Sequence, residues 1–128
     1  MRPEQYDELF TTTGEYIDNI LPEFRTHQDN VVNDVFNLFF NFASADQNET
    51  FWDCLTNDSI ESLNEIGASQ FAPLFQGLYV NTNQRTQNIS GLFKKSKIAK
   101  IRKKIFKYFL LWFTKNGWMA INYGKIFS

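Results

Sequence analysis

The sequence predicts an all-α protein: a helical bundle with a long, basic, amphipathic helix near its C-terminal end. Apolar residues recur at the three- and four-residue spacing of a helix face through most of the chain. Residues typical of helix caps and stops, such as Asp, Ser, Pro and Gly, stand at the ends of these segments. The 128 residues, 43% of them hydrophobic, are enough for one domain with one core.

Two amphipathic helices are predicted in the first third of the chain. Residues 4–20 carry apolar side chains on one face, and Pro22 disfavours helix at the residue before it. Residues 30–43 follow, with Asp29 or Asn30 as the candidate cap and a wide stripe of Val and Phe. Because Val and Phe also favour strands, this helix prediction depends on the 3.6-residue period and the absence of alternation.

Shorter helices are predicted in the middle of the chain. A polar loop over 44–50 precedes a short helix near 51–57. The next helix covers 58–66, with Asp58 as its cap and a Glu three residues later in a capping box. Gly67 is placed to end this helix in the left-handed conformation.

The domain organisation follows from composition. Residues 1–80 are predicted to form an acidic helical bundle, 81–90 a polar linker, and 91–128 a basic helix with an aromatic tail that packs on the bundle. The sequence does not decide between helix and irregular chain for residues 69–80, since Pro73 fits a helix only in its first turn.

The longest predicted helix covers 91–115, with Ser90 as the candidate cap and the Asn-Gly pair at 116–117 as the stop. An apolar seam with heptad spacing runs along it: Ile98, Ile101, Ile105, Tyr108 and Trp112. Beside this seam runs a lysine stripe with the same spacing, which consists of Lys97, Lys100, Lys104 and Lys107. The tail over 118–127 is either a short strand pair or an irregular segment that packs back.

The charges of the chain are strongly segregated. All 14 acidic residues lie within residues 1–65, which contain two bases and therefore carry a net charge of −12. Residues 66–128 contain no acid and 11 bases, so the overall charge of −1 hides two opposite poles. Such segregation indicates either docking onto a charged partner or neutralisation between the two halves within one fold.

The basic segment is a candidate polyanion-binding site. Its eight bases would cover about 20 Å of helix, enough to contact several phosphates of a nucleic-acid backbone. Lys outnumbers Arg, which favours backbone contact over base readout, and an anionic membrane surface fits the same pattern. The candidate residues are Lys94, Lys95, Lys97, Lys100, Arg102, Lys103, Lys104 and Lys107.

The C-terminal half of this helix carries more apolar surface than one core face requires. This excess, together with the charge segregation, favours a non-enzymatic structural or adaptor protein of a larger assembly, which docks onto a second copy or another subunit. Over-use of Phe and Asn is typical of an AT-rich genome and favours a phage or other virus as the source. The expected location is therefore a virus particle or the cytoplasm. The candidate partner-binding residues are Phe106, Phe109, Trp112, Phe113 and Trp118.

Enzymatic sites are not predicted. His27 and Cys54 would form a nucleophilic pair only if the fold brought them together, and Asp46 with Glu49 is the least implausible carboxylate pair. No metal-binding or nucleotide-binding motif, cofactor or small-molecule substrate is indicated. Neither a secretory signal nor an apolar run of the length that spans a bilayer is apparent.

Overall fold

The structure, a computed structural model, describes residues 3–42, 48–81, 83, 85 and 89–116. These residues form α-helices linked by turns and short 3-10 segments, which include Pro22–Phe24 and Ser69–Phe71, and no β-strand occurs among them. The all-α prediction is therefore confirmed. The α-helices are α1 (Pro3–Asp18), α2 (His27–Phe42), α3 (Asn48–Cys54), α4 (Asn57–Glu65), α5 (Ala72–Val80), α6 (Ile89–Leu92) and α7 (Lys95–Asn116).

Helix α2 begins at His27, three residues before the predicted start, because Thr26 caps it. The Asp29 backbone N–H donates to Thr26 Oγ1 (3.1 Å), and the Thr26 N–H donates to Asp29 Oδ2 (2.9 Å). This reciprocal pair satisfies backbone donors that the first turn leaves without helical partners. The prediction of Asp29 or Asn30 as the cap is wrong, although the Asp29 carboxylate is part of the capping arrangement.

Helix α4 is capped by Thr56 rather than by the predicted Asp58. Thr56 Oγ1 accepts from the Ser59 backbone N–H at 3.1 Å. At the other end the Gly67 prediction is confirmed, since Gly67 has a φ of 91°. The Ala68 N–H donates to Leu63 O (2.9 Å) and the Gly67 N–H to Asn64 O (3.1 Å), the two bonds of a Schellman motif.

Two segments differ from the sequence-based picture. Residues 69–80, left open by the sequence, form a 3-10 turn followed by α5, with Pro73 in the first turn of α5, where its missing N–H costs nothing. The predicted helix over 91–115 is two helices, because the chain leaves the helical conformation at residues 93–94. Ser90 therefore lies inside α6 and does not cap α7. The tail over 118–127 lies outside the described residues.

One hydrophobic core joins the acidic and basic parts of the chain, with buried residues from Ile17 in α1 to Trp112 in α7. At its centre the Phe42 ring lies 5.7 Å from that of Phe51 and 5.3 Å from that of Phe75. Phe106 of α7 packs on Phe39 of α2 with ring centroids 6.2 Å apart. These contacts fix which side of α7 faces inward, and therefore which side is left for solvent.

Candidate docking surface

Helix α7 has a buried face and a charged face. The apolar seam predicted from the heptad spacing is buried, except that Tyr108 is half-buried. The buried side chains of this helix are Ile98, Ile101, Ile105, Phe106, Phe109 and Trp112. Each residue of the lysine stripe precedes a seam residue by one position, about 100° around the helix, so the stripe lies beside the buried face.

All four residues of the lysine stripe are exposed. Four further lysines are exposed as well: Lys94, Lys95, Lys103 and Lys115. No ion pair joins any of these eight ammonium groups to a carboxylate among the side chains that the structure describes. Lys97 contacts the Phe93 ring, with its Nζ 5.2 Å from the ring centroid. Within the described chain, the positive pole is thus turned to solvent rather than neutralised by direct contact.

Arg102 differs from its lysine neighbours because it folds inward. Its guanidinium lies over the Phe39 ring, 4.1 Å from the centroid, and its Nε donates to the Phe39 carbonyl oxygen at 3.2 Å. A planar guanidinium suits such stacking better than an ammonium group does. Arg102 therefore holds α7 against α2 and is half-buried, unlike the exposed lysines predicted with it to bind a polyanion.

A shallow groove of about 410 Å³ runs along α7 beside the lysine stripe. Phe106 and Leu110 provide its apolar lining, and its rim is basic: Lys100, Lys103, Lys104 and Lys107. Next to it, Leu111 is 59% exposed. Leu111 follows Lys104 by seven residues and Lys107 by four, so it lies among the lysines on the outer face.

The apolar residues predicted to bind a partner are mostly core residues. Phe106, Phe109 and Trp112 are 2%, 1% and 6% exposed, so a partner of the folded chain does not reach most of their surface. These three side chains pack internally, against α2 and the core. The Phe113 side chain and the whole of Trp118 lie outside what the structure describes. Leu111, an exposed residue of α7, was not among the predicted partner-binding residues, although its spacing from Lys104 and Lys107 places it next to them.

Carboxylates from the acidic half of the chain line a groove of about 430 Å³ between α2 and α4, the acidic groove. Asp34 of α2 lines it together with an acidic row on α4 that consists of Asp58, Glu61 and Glu65. All three residues of the acidic row are exposed. At one end His27 Nε2 lies 2.8 Å from Glu65 Oε2, in an ion pair when the imidazole is protonated.

Asp34 is the least solvated carboxylate of the acidic groove. Burial raises the pKa of Asp34 above its usual range, and the nearby Asp58 charge raises it further. The Ser62 hydroxyl donates to Asp34 Oδ2 at 3.1 Å and partly offsets this rise by stabilising the charged form. The groove thus gathers four carboxylates, of which Asp34 is half-buried and the other three are exposed.

The candidate nucleophilic pair does not assemble. His27 stands at the first position of α2, whereas Cys54 contacts Asn41 near the last, with Asn41 Nδ2 3.6 Å from Cys54 Sγ. Fourteen residues of helix separate His27 from Asn41, which is about 21 Å. Burial and the Asp53 charge also raise the pKa of the Cys54 thiol, which disfavours the nucleophilic thiolate.

The remaining candidates give no further site within the described chain. Asp46 and the Glu49 side chain lie outside the described part. Among the side chains that can be placed, no group of three or more His, Cys, Asp or Glu residues is arranged to hold a metal ion. No described helix combines the length and apolar character needed to cross a bilayer.

Comparison of the chain with protein-family models, curated proteins and solved structures gave no match.

Proposed function

We propose that this protein is a non-enzymatic structural or adaptor component of a larger assembly and docks onto its partner through the outer face of α7. The lysine stripe supplies the charge of this docking surface. Leu111, which is exposed, and the half-buried Leu110 of the neighbouring groove supply its apolar part.

The observation that carries this proposal is the exposed Leu111 among exposed lysines. A phosphate backbone makes ionic contacts and gains little from a leucine, whereas protein interfaces combine an apolar centre with a charged rim. The groove beside Leu111 repeats this arrangement, with apolar residues inside and lysines around them. Acidic partners of the lysine stripe are absent among the described side chains of the same molecule, which leaves the stripe available.

Site-specific photo-crosslinking tests the proposal. A photoreactive benzoyl-phenylalanine is placed at Leu111, and in a control protein at the exposed Gln76 of α5, in cells that naturally contain the protein. We expect a protein adduct from position 111 alone. The triple variant K100E/K104E/K107E should lose the adduct. The control variant K94E/K95E/K115E has the same change in net charge at lysines that do not belong to the stripe, and it should keep the adduct. Equal adducts from both positions, or none, would contradict the proposal.

A second candidate function is polyanion binding, and the number of exposed lysines favours it. Seven of the eight predicted basic residues are exposed on or just before α7, and residues 94–107 span about 20 Å if helical throughout. Contacts to several phosphates would give an affinity that falls steeply with salt. The target in this case is a nucleic-acid backbone or an anionic membrane surface.

Titration with a short DNA duplex, followed by fluorescence anisotropy at several salt concentrations, separates the two candidates. Polyanion binding predicts tight association at low salt that K100E/K104E/K107E abolishes. Flotation with phosphatidylserine vesicles, compared with neutral vesicles, tests the membrane form in the same way. Absence of binding in both assays would remove the second candidate and leave the first untouched.

A further inference from the structure

The chain carries a surface that complements its own lysine stripe. The acidic row Asp58, Glu61 and Glu65 follows one face of α4 at spacings of three and four residues, and the lysine stripe follows α7 at spacings of three, four and three. At 1.5 Å per residue, seven residues of either helix extend about 10 Å. Each carboxylate of the row therefore faces a lysine when the two helices lie side by side.

The match holds in both directions. A parallel arrangement pairs the acidic row with Lys97, Lys100 and Lys104, and an antiparallel one pairs it with Lys107, Lys104 and Lys100. Lysine ammonium groups on flexible stems adapt to either register. Asp34 adds a fourth carboxylate, from α2, to the same groove, so negative charge is present on both helices that line it.

From this complementarity we infer that the docking partner is a second copy of this chain, whose acidic groove receives the lysine stripe. The inference rests on the proposed function and names its partner. The alternative is neutralisation inside one molecule, but no ion pair joins an α7 lysine to the acidic row, and all of these side chains are exposed. Since the two contact surfaces differ, copies can join head to tail into rings or filaments, or pair about a two-fold axis with each stripe in the groove of the other copy.

Charge reversal of each surface tests the inference. The lysine variant is K100E/K104E/K107E, and the acid variant is D58K/E61K/E65K. Sedimentation velocity measures association at low and high salt. At ionic strengths of about 0.01 M and about 1 M, the screening length of charge interactions is about 30 Å and about 3 Å, respectively. Far-UV circular dichroism verifies that each variant is folded. If the acid variant loses its helical signal, D58N/E61Q/E65Q replaces it and should weaken association.

We expect the wild-type chain to associate at low salt and to separate at high salt. Each variant alone should be monomeric, because its two contact surfaces then have the same sign. An equimolar mixture of the lysine and acid variants should associate again, since each surface then meets its opposite. The variant K94E/K95E/K115E should associate like the wild type.

Three results would overturn the inference: a monomeric wild type at low salt, variants that associate individually, or a mixture that stays monomeric. If only the lysine variant loses association, the acidic groove is not the receptor, but docking through α7 stands. If the wild type is monomeric while Leu111 still forms its protein adduct, the partner is another protein. If the lysine variant keeps both association and adduct, the docking function fails together with the inference.

Discussion

The guanidinium of Arg102 covers the ring of Phe39 at 4.1 Å and donates a hydrogen bond to the carbonyl oxygen of the same residue. This contact ties the basic helix to the acidic part of the chain. It also separates the functions of two kinds of base on α7: Arg102 holds the helix in place, and the lysine stripe remains on the surface.

The variant R102A should therefore lose stability, whereas K103A should not. Loss of the cation–π contact and of a hydrogen bond from a charged donor costs about 1–3 kcal/mol of unfolding free energy. Lys103 is exposed, and its removal changes the net charge by the same amount at a cost within about 0.5 kcal/mol. Urea unfolding of both variants measures the difference. Equal stability of the two would show that Arg102 does not anchor the helix.

The centre of the core should tolerate truncation poorly. Phe42 is 1% exposed and contacts the rings of Phe51 and Phe75, so F42A leaves a cavity that costs about 3–5 kcal/mol. Phe24 is 71% exposed, and F24A removes the same atoms from the surface. We expect F24A to stay close to the wild type in chemical denaturation. A smaller loss for F42A than for F24A would contradict this description of the core.

The helices were largely predictable from spacing, because their apolar faces repeat over many residues. The ends of the helices were less predictable, since each end depends on which of several neighbouring side chains caps the helix. Thr56 and Asp58 are both good caps, and only the conformation of the chain decides between them. The break at residues 93–94 has no Pro to mark it. There the buried Ile89 and the Phe93 ring, 6.0 Å from that of Phe42, place the preceding helix on the core.

The candidate site was predictable only in part. Spacing alone placed the lysine stripe beside the apolar seam, but it left open whether the lysines face solvent or the acidic helices of the same fold. It did not distinguish Arg102 from the lysines, because the distinction depends on Phe39, 63 residues away. The acidic groove joins α2 to α4 through side chains such as His27 and Glu65, 38 residues apart, and such tertiary contacts leave no local pattern.

Asp34 should make stability depend on pH in a defined direction. Its pKa is raised in the folded chain, so between the ordinary Asp pKa and this raised value the folded state holds more protons than the unfolded state. Stability contributed at this site is then highest at acid pH and falls as the pH rises through the raised pKa. The variant D34N lacks this dependence and should be more stable than the wild type at neutral pH.

Thermal unfolding of the wild type and D34N from acid to neutral pH measures this effect. The difference in melting temperature should widen as the pH rises and then level off. A variant that is less stable than the wild type at neutral pH would show that the Asp34 charge is favourable in the fold.

The Cys54 thiol should react slowly while the chain is folded. Burial, the Asp53 charge and the resulting raised pKa all reduce the thiolate that alkylating reagents attack. We expect iodoacetamide labelling, followed by mass spectrometry, to be slower in the folded chain than in urea. The variant D53N removes one cause of the raised pKa and should label faster than the wild type. Labelling of the folded wild type at the unfolded rate would contradict the burial of this thiol.

The central claim is that the lysine stripe serves an external partner and not the fold itself. The most direct test is the unfolding free energy of K100E/K104E/K107E at low ionic strength, compared with that of K94E/K95E/K115E, which has the same net charge, at a protein concentration low enough that both variants sediment as monomers. We predict that the two agree within about 0.5 kcal/mol, as expected for exposed residues without internal partners. A stripe variant less stable than the control by more than about 1 kcal/mol would show that the lysines neutralise the acidic half of their own molecule.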